Sequence, residues 1–183
     1  MTRNIGRLRP WKIIAGGVKR IFPFGWGMPA FDYRQAEEVR DAFSRHGVRY
    51  LFIGKSGAIL LGFPDTTQDA DLFVERSKTN GAALVLALRQ LGFDLTSEQA
   101  AEIERGKDFV QLKNGPFDLD LVFAPDGIER FEDAWKRHVE VEGFPVCHPD
   151  DIIASKEAAN RQKDRESLPR LRAFREYWLR HHK

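Results

Sequence analysis

The chain of 183 residues contains one cysteine, Cys147, two methionines and five histidines. A single cysteine excludes an internal disulfide framework, and Cys147-His148 with the remaining histidines scattered has no structural zinc spacing. Long apolar runs are missing as well. Near the start Lys12, Lys19 and Arg20, with Gly16 and Gly17, interrupt every candidate, which excludes a secretory apolar segment or a membrane span there. These absences predict a soluble protein of a reducing, cytoplasmic compartment with no membrane partner. Acidic side chains are absent from residues 1–30, which carry six basic ones; residues 156–183 have nine basic against four acidic, and residues 31–155 fourteen against twenty-three. Net charge is only +2, yet basic ends flank an acidic middle. That distribution suits a polyanionic ligand held beside a carboxylate site, and equally suits solvated helix faces.

A further absence concerns Gly54-Lys55-Ser56, which could end a phosphate-binding P-loop. The motif needs a glycine five positions before Gly54, and Arg49 stands there, so a P-loop is excluded. Downstream lie Thr66-Thr67-Gln68 and then Asp69-Ala70-Asp71, running into Leu72-Phe73-Val74.

With 42% hydrophobic residues the chain can bury a core of one domain. Ala36, Val39, Ala42 and Phe43 lie at helical spacing between Arg34 and His46, and Gly47 stops that helix. Residues 48–53 read as a buried strand, 56–61 as a short helix, 69–75 as a strand and 79–91 as a helix closed by Gly92. Residues 109–113 and 117–123 form strands joined by Asn114-Gly115-Pro116 in a hairpin. A helix near 128–138 and a strand near 139–147 come next. Pro149, Asp150 and Asp151 mark a helix start, and Pro169 separates that helix from a final one ending near Arg180. The order predicts an α/β (α+β) fold, a small mixed sheet with helices outside. It divides into a basic, aromatic arm (1–30), a core (31–148) and a C-terminal helical segment that completes the site (149–183).

Alternate residues of a strand share a face, so Asp69 and Asp71 project together, ~7 Å apart along the backbone. Phe117-Asp118-Leu119-Asp120-Leu121 repeats the arrangement. Two acidic pairs on half-buried strands repel and desolvate one another, and divalent cations about 3.5–4 Å apart are the usual means of holding them. Mg²⁺ suits all-oxygen ligands that leave positions open for phosphates. An edge-strand solvent face would also place aspartates this way.

On these residues the chain resembles the nucleotidyltransferase superfold of the DNA polymerase beta type, and more narrowly the AbiEii-type bacterial nucleotidyltransferases, a group that includes toxins of toxin–antitoxin systems. Gly54 matches the motif glycine, Gly62 the glycine after the short helix, Thr67 the threonine before the strand, and Asp69 and Asp71 the metal pair. Asp120 matches the third carboxylate, with Asp118 as the alternative. A second block, "HPDDIIASKEAANRQKD" (148–164), resembles the family's C-terminal helix through Lys156, Arg161, Lys163 and Asp164. Lys156, Asn160 and Lys163 fall at i, i+4 and i+7, which predicts one helix face; the resemblance implies that this face meets a triphosphate, while an ordinary amphipathic helix with Ile152, Ile153, Ala158 and Ala159 inward would also account for the apolar residues. The likeness covers residues 48–168. Two positions depart from it: Lys55 stands where the family has glycine or serine, and Asp65 where arginine is common.

The resemblance implies transfer of a nucleotide monophosphate from an NTP to an acceptor hydroxyl, with Asp69, Asp71 and Asp120 holding two Mg²⁺ ions and Lys156 offsetting charge on the pyrophosphate. Gly54, Lys55, Ser56, Thr67, Asn160 and Lys163 would surround the nucleotide. The arm interleaves Arg3, Arg7, Arg9, Lys12, Lys19 and Arg20 with Trp11, Phe22, Phe24 and Trp26, a mixture suited to phosphates and stacked bases, and equally to aromatics that pack the arm onto the domain with the arginines in water. RNA is the expected acceptor, the toxin resemblance implies tRNA in particular, and it implies an antitoxin protein as partner. Other readings are a protein or antibiotic acceptor, and a degenerate module that binds nucleotide or RNA without turnover.

Overall fold

A computed structural model describes residues 31–182. The basic aromatic arm predicted over residues 1–30 lies outside the described residues.

Helix α1 (Tyr33–His46) is fixed at both ends by local chemistry. Asp32 and Gln35 form a reciprocal capping box at its start, and Gly47, with φ 66°, turns the chain out at its end. Its apolar side, Ala36, Val39, Ala42 and Phe43, is buried as the spacing predicts. Strand β1 (Tyr50–Ile53) comes next and is buried along its whole length. Then come α2 (Gly54–Leu60), β2 (Asp69–Val74), α3 (Lys78–Gln90), α4 (Ser97–Glu104), β3 (Phe109–Leu112) and β4 (Asp118–Val122). The described chain ends with α5 (Phe131–Arg137), β5 (Val139–Val141), β6 (Phe144–Val146), α6 (Pro149–Ala159) and α7 (Gln162–His181).

The six strands form one open mixed sheet in the order β3-β4-β2-β1-β6-β5. β1 and β2 run antiparallel, as do β3 and β4 and also β5 and β6, whereas β2–β4 and β1–β6 are parallel. The parallel β2–β4 pairing places Asp69 opposite Asp118 and Asp71 opposite Asp120. Between the aspartates the same strands turn Ala70, Leu72, Leu119 and Leu121 into the core, all fully buried. Alternation thus divides each strand into an apolar side that holds the sheet and an acidic side that faces a cleft. Helix α3 packs with α1 and α4, while α2 packs on β1, β2 and α6, and α6 on α7. Among the described residues no helix is long and apolar enough to cross a membrane. Cys147 is free and buried.

Four local expectations change. Residues 139–147 are not one strand but the hairpin β5–β6, because Glu142 and Gly143 both take positive φ (51° and 79°) and reverse the chain. Helix α4 is additional. Its apolar spacing is thin, and its start is set by a Thr96–Gln99 capping box. Pro169 does not end a helix: α7 runs through it. Pro169 removes one backbone donor, but Arg165, whose carbonyl loses that donor, is exposed to water, and Leu168, Leu171 and Trp178 anchor the helix to the core. The break falls instead at Asn160, whose left-handed backbone (φ 48°) caps α6. Lys156, Asn160 and Lys163 therefore do not share one continuous helix face. Lys156 belongs to α6, Asn160 is the joint, and Lys163 opens α7.

Candidate active site

The carboxylates sit where β2 and β4 meet. Asp69, Asp71 and Asp120 each offer an oxygen, and these oxygens lie within 4.8 Å of one another. Asp118, the alternative third carboxylate, is beside Asp69 in the sheet but outside this group. Two of the three are held by neutral donors: the Thr67 hydroxyl donates to Asp69 Oδ1 at 3.0 Å, and Gln111 Nε2 donates to Asp120 Oδ1 at 3.0 Å. Each donor fixes one oxygen and leaves Oδ2 without a protein donor among the described residues. None of the three aspartates forms an ion pair among the described residues.

Asp71 is pressed against the glycine turn. Gly54, with φ 63°, starts α2 beside it, and a Cβ at that position would come within 2.8 Å of Asp71 Cγ, so only glycine lets the turn and the carboxylate coexist. Ser56 locks the same junction from below. Its buried hydroxyl donates to Ile53 O at 3.1 Å and accepts from the Asp71 backbone N–H at 2.9 Å. The Ser56 side chain thus ties α2 to β2 and does not reach into the cleft. Burial, then Asp69 and Asp120, push the Asp71 carboxyl up to about 7, against the pull of Lys156 and Lys163. Burial also raises Asp120; the Gln111 hydrogen bond opposes it, Asp69 adds to it, and Lys163 and Lys113 oppose it in turn.

The triad opens into a cleft of about 640 Å³. Lys55, Lys156, Arg161 and Lys163 line it together with the triad. Lys156 is held by an ion pair of 3.1 Å with Asp164, whose other oxygen accepts from Arg161 Nε at 2.7 Å. Asp164 is fully buried. Burial raises its carboxyl, but the hydrogen bonds from Arg161 and Lys156 outweigh this and leave it below the ordinary range. Lys163 forms no ion pair among the described residues. Asn160 does not line the cleft; it is exposed, and its carbonyl accepts from Arg165.

No family model and no curated protein matches this chain.

Lys55 and Asp65, the two departures from the resemblance, touch each other. Lys55 Nζ lies 3.7 Å from Asp65 Oδ2, and Arg170 reaches the same oxygen at 3.3 Å while bonding Pro64 O at 2.9 Å. The Thr66 N–H, opposed by burial and then helped by Lys55 and Arg170, holds Asp65 below the ordinary range. Asp65 keeps Arg170 if Lys55 leaves, so Lys55 is free to exchange a loose, half-exposed partner for a ligand phosphate. Asp65→Asn is expected to tighten binding of inorganic triphosphate, and Lys55→Ala to weaken it, each by roughly two- to fivefold, the scale of an exposed ion pair. Titration calorimetry checks this, and equal effects of one sign would mean the pair is only structural.

Two residues at the site were not expected from the sequence: Gln111, which holds Asp120, and Phe109, which lines the cleft. Gln111 had a usable signal, since a polar residue on an edge strand directly opposite Asp120 is a cross-strand donor once the hairpin is aligned.

Proposed function

We propose that the chain is a metal-dependent nucleotidyltransferase that moves a nucleotide monophosphate from an NTP to a hydroxyl of RNA. One observation carries the reading: three carboxylates without ion-pair partners among the described residues face a cleft that also holds four cationic side chains. The donor set fits Mg²⁺, being all oxygen, converging from two strands and lacking any protein cation in contact among the described residues. Held by Asp69, Asp71 and Asp120, Mg²⁺ would supply positive charge for the phosphoryl oxygens and lower the pKa of the attacking hydroxyl.

The chain's own residues position and discharge. Thr67 and Gln111 orient Asp69 and Asp120 so that each keeps one oxygen free. Lys156, aimed by Asp164, and Lys163, which has no carboxylate partner among the described residues, donate to phosphate oxygens as charge gathers on the leaving group. The acceptor oxygen forms a bond to the α-phosphorus as the bond to pyrophosphate breaks, and the hydroxyl proton leaves to water.

The test is incubation of wild type and Asp69→Ala with each α-³²P-labelled NTP, Mg²⁺ and total RNA, with circular dichroism to show that both are folded. Label on RNA from wild type alone is the expected result. Equal labelling by folded Asp69→Ala would defeat the mechanism. Label on protein or on a small molecule would reassign the acceptor, and no label anywhere would leave a binding module.

A further inference from the structure

The cleft has an end that the phosphate chemistry does not use. Phe109 opens the outer strand β3, lines the cleft, and is 48% exposed. Its cross-strand partner Val122 lines the cleft too, and Ala124 and Pro125 continue the wall beyond β4. The side chain two positions along β3 from Phe109 is Gln111, the residue that holds Asp120, so ring and carboxylate are separated by about 7 Å of strand. The sheet order then places the parts in sequence: Phe109 on β3, Asp120 on β4, Asp69 and Asp71 on β2, and Gly54-Lys55 at the end of β1. The reacting carboxylates stand between an aromatic wall and the glycine turn. Lys55, Lys156, Arg161 and Lys163 come from α2, α6 and the start of α7, none from β3.

We infer that Phe109 is the stacking platform for the acceptor: the 3′-terminal base of a single-stranded RNA lies on its ring, against Val122 and Pro125, and brings the terminal ribose hydroxyl to Asp120. The inference rests on the nucleotidyltransferase reading and narrows its acceptor. A large ring left half in water on a substrate-sized cleft is what a planar base covers with gain, and every base has a face to offer. A polycationic sugar antibiotic has no such planar face to offer.

The experiment measures initial rates of label transfer to a short single-stranded oligoribonucleotide by wild type, Phe109→Ala and Phe109→Trp. Each is also tested on the same oligonucleotide with an abasic 3′ residue. Phe109→Ala is expected to raise KM for the oligonucleotide roughly tenfold, the scale of one stacked base, with KM for NTP unchanged and Phe109→Trp restoring the value. Wild type on the abasic end should behave like Phe109→Ala on the intact one. Equal oligonucleotide KM for all three proteins overturns the inference and leaves the transfer reading standing, and so does a rise in NTP KM alone, which would put the donor's base on the ring. If wild type labels neither this oligonucleotide nor total RNA, protein or small molecules, the transfer reading falls. Fluorescence anisotropy of the labelled oligonucleotide then decides the platform alone, with equal affinity of wild type and Phe109→Ala rejecting it.

Discussion

Asp71→Asn is expected to give a protein more stable than wild type above pH 7 in the absence of divalent cations, and one that transfers no nucleotide. The Asp71 carboxyl titrates near 7 in the folded chain, raised first by burial and then by Asp69 and Asp120. In the unfolded chain it titrates near the ordinary aspartate value of about 3.9. A folded-state pKa above the unfolded one means that stability is fully present below about pH 4 and drains away as pH rises to about 7. Above that window the ionised side chain costs the fold roughly 2–4 kcal/mol by linkage, with the three carboxylates sharing the effect. Asparagine keeps the shape and removes the charge. In EDTA the variant should melt about 5–10 °C above wild type at pH 8 and level with it near pH 4. Adding Mg²⁺ or Mn²⁺ at pH 8 should raise the wild-type midpoint and leave the variant's almost unmoved. On the proposed mechanism transfer should fall by roughly 10³-fold or more, because one of the three carboxylates that would hold the cation is gone. A variant no more stable than wild type at pH 8 would show that the carboxylate repulsion is relieved elsewhere.

Asp164→Ala is expected to have the opposite effect on stability. Asp164 is fully buried and satisfies Lys156 and Arg161 together. It also lies in the first turn of α7, where negative charge is favoured. Removing it leaves Lys156, only 13% exposed, with a charge and no counter-charge. Breaking a buried pair from one side costs about 3–5 kcal/mol, so the melting midpoint should fall by roughly 10 °C. The pH dependence also reverses. The folded-state value is depressed, so its contribution is present above about pH 3.9 and is lost as pH falls through the folded value. Wild type should therefore show an acid limb that Asp164→Ala lacks. Lys156→Met paired with Asp164→Leu should recover much of the stability and none of the activity, because the joint at α6–α7 would then be packed without its cation.

The sequence announces the carboxylates plainly and the cations poorly, for physical reasons. Strand period two is rigid over five or six residues, so the Asp-x-Asp pairs of β2 and β4 project to one side whatever else happens. Helix period holds only while the helix holds. One Asn in the left-handed region at position 160 separates Lys156 from Lys163, and Asn ranks below proline as a local breaker although it is the residue that broke. Tertiary anchoring by Leu168, Leu171 and Trp178 decided between them. Ser56 shows a second limit. A hydroxyl after a glycine turn reads as a phosphate donor, but whether it points outward or ties α2 to β2 depends on the register of β1 against β2, which only the assembled sheet settles. Helix α4 was legible by a different signal, the Thr96-x-x-Gln99 box, which marks a helix start even where apolar spacing is thin.

The parallel pairing of β2 with β4 has a consequence for how the protein acquires its site over time. α3, α4 and β3 lie between the two strands in the chain, so both sets of carboxylates must travel with separate segments and meet only when the sheet closes. Asp69 and Asp71 come with β2, but the set of three is complete only when Asp120 on β4 has joined them. A cation that needs all three therefore holds the two segments together once they have met, and to the extent that it binds after the folding transition state it lengthens the folded lifetime more than it speeds folding.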